Sequence, residues 1–181
     1  QAQVLADSPA TFRDTNNPDT AIVVPLVSSQ KRRYIPIGYI DKSTIANNKV
    51  SIIPNGTMYQ LGILCSNVHN AWMRRVAMRM KSDYSYSLSM VYNTFPWPTP
   101  TDEQKAAIEK TAQGILDARA LYPDSSLADL YDEVTMPKEL REAHRANDRA
   151  VMRAYGFSTK MTEADCVAAL MKMYEDLTSK G

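Results

Sequence analysis

A chain of 181 residues, 44% hydrophobic and 23% charged, is long enough to bury a core and has the texture of one or two folded domains. It contains no apolar run of membrane-spanning length and no signal-peptide pattern, and two cysteines, Cys65 and Cys166, make no disulfide framework. Those features point to a reducing cytoplasm and exclude a membrane partner; a first residue of Gln rather than Met predicts a piece of a longer protein. The net charge of +1 hides a split, because residues 1–100 carry a surplus of five bases and residues 101–181 a surplus of four acids. Between Lys31 and Lys81 nine bases face one acid, Asp41. A polyanion-binding first half joined to an acidic second half is the expectation, and uneven surface charge without a partner is its competitor.

Taken in chain order, "TAIVVPLVSS" and "RRYIPIGYI" read as strands, with Pro25 and Pro36 at edges or bulges because proline lacks a ladder donor. "KVSIIPN" is a third short strand. "MYQLGILCSNVHNAWMRRVAMRM" reads as two helical pieces that break near Ser66 and Asn67. In the second piece Met73, Val76, Ala77 and Met80 recur at helical spacing and are predicted to be its buried stripe, leaving Arg75 and Arg79 one turn apart on another face. The alternation in "SYSLSMVY" predicts a return to strand. Pro96, Pro98 and Pro100 then impose an extended boundary, dividing the chain into residues 1–98 and 99–181.

Beyond that boundary every segment reads as helix. Thr101 opens a T-x-x-Q capping box, and Ile108, Ala112, Ile115 and Leu116 share one face. Pro137 opens a second helix, closed by Gly156, with Leu140, Ala143, Asn147, Val151 and Ala154 on one side. Thr162 caps a third, packed through Val167, Leu170, Met171, Tyr174 and Leu177. The predicted class is α+β, a mixed α/β module followed by a small all-α bundle.

Much chemistry is missing from the sequence. No two of its six glycines lie within five positions, which excludes glycine-rich phosphate, dinucleotide and S-adenosylmethionine loops. His69 follows Cys65 at the helical spacing of two metal ligands, but His144 and Cys166 lie far along the chain, so a core histidine is favoured over a zinc site. His144, set among Glu142, Arg145 and Asp148, is expected at the surface or in an interhelical hydrogen bond. Glu103-Gln104-Lys105 has a nuclease-like look but falls inside the capping box. Tyr84, Tyr86, Tyr92 and Trp97 could stack on bases, although core or rim positions fit their alternation better. No catalytic residue and no metal ligand is assigned.

The tract "SSQKRRYIPIGYI" through "IIPNGTMYQLGILCSNVHNAWMRRVAMRMKSDYSYSLSMVYNTFPWP" resembles the end of the target recognition domain in MmeI-type (type IIL) restriction-modification enzymes and their methyltransferase-only relatives. "IEKTAQGILDARALYPDSSLADLYDEVTMPKELREAHRANDRAVMRAYG" resembles the C-terminal helical domain that follows it there. The resemblance implies a bacterial, cytoplasmic module that recognises double-stranded DNA for an adenine-N6 methyltransferase. It also implies that S-adenosylmethionine is held by the methyltransferase core of the parent chain, and that this piece binds no cofactor itself. Lys31, Arg32, Arg33, Arg74, Arg75 and Arg79 are suited to phosphate contacts, with a solvated basic surface as the alternative. Lys81 and Asp83, two apart on an extended segment, suit one G·C pair, lysine donating to guanine and aspartate accepting from cytosine N4. In the resembled family these positions are a matched base-reading pair, and Lys49 and Ser85 are similar to a second. A local salt bridge at a helix end is the competing reading for Lys81 and Asp83. A protein–protein docking module, using apolar faces in excess of what the bundle needs, is the competing function.

Overall fold

The computed structural model describes residues 18–179. β1 (Thr20–Pro25) is the centre of one antiparallel sheet, between β3 (Gly38–Asp41) and β4 (Val50–Pro54). Its register sets Ile22 opposite Tyr39 on one side and Ile53 on the other, so β-branched side chains meet across the sheet. A second sheet has the order β2 (Val27–Ser28), β6 (Asp83–Ser85), β5 (Met78–Met80). Leu26 joins the two sheets: its N–H donates to the Lys49 carbonyl at 3.0 Å and its carbonyl accepts from Tyr86 N–H at 2.8 Å.

α1 (Met58–Leu64) starts at a capping box in which Thr57 and Gln60 bond reciprocally. It ends two residues before Ser66, whose hydroxyl donates to Ile63 O at 2.6 Å and accepts from His69 N–H at 3.3 Å. One serine therefore closes α1 and opens α2 (Asn67–Val76). In the second half come α3 (Asp102–Ala120), capped by Thr101, a short α4 (Leu127–Leu130), α5 (Lys138–Ala154) and α6 (Glu163–Thr178), capped by Thr162. α1 and α5 both pack on α3. Gly62 makes the first crossing close, since a Cβ there would stand 2.5 Å from Ile108 Cγ2. Asn147 of α5 fills the same junction, donating to Gly62 O at 2.7 Å. The buried cluster includes Trp72, Tyr34, Ile108, Leu140 and Leu170, and so runs without a break across the Pro96–Pro100 stretch. No helix among the described residues is long and apolar enough to cross a membrane.

Three local expectations are corrected. Of "RRYIPIGYI" only Gly38 onward is strand; Tyr34–Ile37 is held by side chains, with Ile35 N–H donating to Asn70 Oδ1 at 2.9 Å. The second helix stops at Val76, and Met78–Met80 is strand, so Met80 is exposed and Val68, His69, Ala71, Trp72 and Met73 form the buried face. Arg75 and Arg79 accordingly do not share a helix. "LSMVY", expected as strand, is a π turn over Leu88–Tyr92, held by Asn93 N–H to Leu88 O and by Trp72 Nε1–H to Val91 O at 3.2 Å. His144 is buried, not superficial. Its ring bonds Tyr131 and the Cys65 carbonyl, which makes it the interhelical hydrogen bond of the two expected alternatives.

Candidate nucleic-acid interface

The second sheet gathers most of the residues singled out in the sequence. β5 and β6 form a hairpin in which Met80 pairs with Asp83 and Lys81-Ser82 make the turn. Lys81 therefore does not lie beside Asp83 on one side of an extended segment. It sits at the hairpin tip with φ +58°, a left-handed conformation that a long side chain adopts at a cost. The tip is braced from below. The Arg79 guanidinium lies 3.8 Å from the centroid of the Tyr84 ring, donates to Ser82 O at 2.9 Å, and reaches the Tyr84 hydroxyl at 3.1 Å. No ion pair links Lys81 and Asp83 among the described residues; Asp83 Oδ1 instead accepts from Gln30 N–H at 3.3 Å.

That last bond, with the pairing of Ser28 and Tyr84, draws the turn after β2 against the hairpin. Lys31 and Arg33 are exposed on that turn, and Arg32 is half-buried. The turn itself is fixed by Arg32 N–H to Ser29 O and Lys31 N–H to Ser29 Oγ. Lys49 and Ser85 come together as well. Both line a groove of about 620 Å³ bordered by Pro25–Val27, Asn47, Asn48 and Met80.

Arg74 is different from the other bases. Its guanidinium binds both carboxylate oxygens of Glu163, at 2.8 and 2.9 Å, and donates to Arg33 O at 3.1 Å. Glu163 is in the first turn of α6, where a carboxylate also suits the helix dipole. With its donors so engaged, Arg74 is a brace between α2, the basic turn and α6. Arg75, one residue on, is exposed in the last turn of α2 and shares a hollow with Tyr84.

Beneath the basic surface lies a buried polar junction. Asp148 of α5 accepts from the Tyr34 hydroxyl at 2.7 Å and from Asn67 N–H, at the start of α2, at 2.8 Å. Burial raises its carboxyl above the ordinary range, and the two donors oppose that rise. Helix α2 is thus oriented from below by a carboxylate of the second half. The aromatic residues weighed as stacking platforms are structural: Tyr84 and Tyr86 are buried, and Tyr92 and Trp97 are half-buried and in edge contact.

Sequence reasoning missed Met78 and Met80 as surface residues. The signal was present in "MRMKSDYSYS", which alternates on both sides of a two-residue turn. It also missed Glu163 and Asp148 as the supports of Arg74 and of α2. Their partners lie 89 and 81 residues away, so no local spacing marks them.

A basic two-sheet module that presents an exposed hairpin, backed by acidic helices sharing its core, has the build of a recognition domain joined to its helical companion. The chain belongs to the MmeI family: residues 1–99 match the family described as MmeI, target recognition domain, and residues 100–180 the one described as MmeI, C-terminal domain. It is 41% identical over 177 residues to DNA methyltransferase A of Bacillus subtilis (strain 168), covering 97% of this chain and 20% of that protein. It is 44% identical to the type IIL restriction-modification enzyme MmeI, solved in complex with DNA, with a TM-score of 0.88 over 98% of this chain and 24% of that one. The chain therefore spans no more than a quarter of either relative.

Proposed function

We propose that this chain is the DNA target recognition module, with its attached helical domain, of a bacterial cytoplasmic adenine-N6 DNA methyltransferase. The module docks in the major groove of double-stranded DNA through the outer face of the second sheet. Lys81 and Asp83 read one base pair, and Lys49 and Ser85 contribute to a second. Lys31, Arg32, Arg33 and Arg75 meet phosphates, Arg74 positions the turn that carries three of them, and Arg79 braces the hairpin tip that presents Lys81. The observation that carries this reading is one of geometry. Asp83 and Ser85 share one face of β6, Lys81 stands at its hairpin tip, and Lys49 borders the groove into which Ser85 opens. Asp83 Oδ2 accepts from no donor among the described residues, which leaves it for a base amino group.

Residues 1–98 serve recognition and residues 99–181 support, with the Pro96–Pro100 stretch between them. Methyl transfer belongs to a methyltransferase core in the rest of the protein, which holds S-adenosylmethionine; whether a nuclease is attached there varies within the resembled family. Among the described residues no glycine-rich loop is present to cradle that cofactor. At Gly38, Gly56 and Gly62 the space of a Cβ is taken by the core side chains Val23, Ile22 and Ile108, so none lines an open cradle. The docking-module alternative is the weaker one, since α1 covers apolar faces of the second-half helices within the chain.

The test is a charge exchange. Lys81→Glu with Asp83→Arg in the full-length enzyme should move preference at one position toward the inverted base pair, with each single change worse than the double. About 1–3 kcal/mol per mispaired contact is expected. The readout is methylation of a randomised-site DNA library. A double variant that keeps the original base at every position would show that the hairpin tip does not read sequence.

A further inference from the structure

The outer face of the second sheet carries more than its polar candidates. Directly opposed residues in an antiparallel pair share a face, as do residues two apart on one strand. Val27, Ser85 and Met78 therefore form one row, and Met80 and Asp83 the next. The opposite face holds Ser28 and Tyr84, both buried, and Arg79, whose guanidinium lies on the Tyr84 ring, so the row with Met78 and Met80 is the apolar one presented to solvent. On it Met78 is 62% exposed and Met80 55%. Both stand on β5, an edge strand, where folds usually place charge to discourage pairing. Met80 is opposite Asp83 and also lines the groove shared by Lys49 and Ser85. It thus stands between the two polar pairs, the one large apolar side chain common to both.

We propose that Met80 is a specificity-determining contact, its thioether packing on the 5-methyl group of a thymine beside the base pair met by Lys81 and Asp83. This rests on the reading of duplex DNA proposed above. Thymine is the base that offers a methyl group in the major groove, and apolar side chains recognise it there. Methionine suits the task because its unbranched, polarisable chain adapts to a methyl at variable depth. Charge decides the occupant: Lys31, Lys49 and Lys81 are exposed around the face, and phosphates would answer them where an apolar protein surface would not.

The experiment uses the full-length enzyme. Selection from a randomised duplex library first identifies the positions at which thymine is required. Deoxyuridine then replaces each of those thymines singly, which deletes the methyl group and nothing else. Wild-type enzyme should lose about fourfold in affinity at one position, equivalent to about 0.8 kcal/mol for one buried methyl. Met80→Gln should abolish that difference there, while preference at the pair assigned to Lys81 and Asp83 persists. Met90→Gln, at an exposed methionine outside the sheet, should leave the methyl effect intact. Met80→Gln enzyme that still separates thymine from uracil overturns the assignment, as does wild-type enzyme insensitive to the methyl at every position. Equal weakening of all sequences by Met80→Gln, or loosened association with the methyltransferase core at unchanged base preference, also overturns it. Wild-type enzyme that selects no sequence at all removes the proposed function itself, and this assignment with it.

Discussion

Acid should unfold this protein through two histidines. His144 is fully buried, with Nδ1 3.2 Å from the Cys65 carbonyl and Nε2 2.6 Å from the Tyr131 hydroxyl. A carbonyl only accepts, so Nδ1 carries the proton and Nε2 accepts from Tyr131. The Tyr131 oxygen in turn accepts from Arg119 Nε at 3.0 Å, which leaves its own proton for His144. Protonating Nε2 would break that relay and set a second positive charge near the first. Burial, then Arg119, holds the His144 pKa down to about 3. His69 is also fully buried; its Nε2 lies 2.9 Å from the Tyr86 hydroxyl, and its Nδ1 has no hydrogen-bond partner among the described residues. Burial alone pushes it to about 3.

Both folded values lie below the unfolded value of about 6.5, so the neutral forms stabilise the fold above that pH, and the benefit drains away as pH falls toward 3. Each histidine contributes a slope of about 1.4 kcal/mol per pH unit, and the pair about 5 kcal/mol between about pH 6.5 and 4.5. That loss is comparable to the whole stability of a modest domain, about 5–15 kcal/mol. Asp148, raised by burial, acts in the opposite sense and offsets part of the loss at the acid end. Urea unfolding at several pH values should show the decline, and His144→Gln should roughly halve the slope. The ring C–H resonances of His69 and His144 should stay at their neutral positions until the protein unfolds. Resonances that titrate near pH 6.5 in the folded protein, or a free energy unchanged between about pH 7 and 5, would refute the reasoning.

The other expectations concern the hairpin and its brace. Lys81→Gly relieves a left-handed lysine and should raise stability by about 1 kcal/mol in denaturant unfolding, while erasing preference at the base pair assigned to Lys81 and Asp83. The bidentate Arg74–Glu163 pair is partly exposed, so a double-mutant cycle should give a coupling of about 1 kcal/mol or less. Arg75→Gln should flatten the log–log salt dependence of DNA binding by about one unit, and Arg74→Gln should not.

The parts of the fold legible in the sequence are those set by local chemistry. Thr101 and Thr162 announce their helices because a hydroxyl at the N-cap and a side chain three residues on satisfy the first amides together. Ser66 breaks "MYQLGILCSNVHNAW" for a similarly local reason, its hydroxyl serving both helix ends. The elements misread are those whose hydrogen bonds go elsewhere. Tyr34–Ile37 looks like strand by composition, yet its polar partners are Asn70 and Asp148, supplied by helices distant in sequence. Arg74 looks like its neighbour Arg75, and only the fold brings Glu163 to one of them.

The hairpin tip is the most instructive miss. Two-residue hairpins are announced by Asn-Gly or Asp-Gly because those residues accept positive φ, whereas this turn is Lys-Ser and gives no such signal. A helical spacing of apolar residues therefore outweighed a strand alternation that was equally present. Yet the rule fails at a single residue, and that residue is the one whose chemistry suits guanine. A glycine would ease the turn and carry no donor. Lysine there is strained, and the strain is held by Arg79, which ties the Ser82 carbonyl and the Tyr84 ring into one block. Local preference and tertiary bracing thus disagree at Lys81, and under the proposed function the position answers to the base it reaches rather than to the turn that holds it.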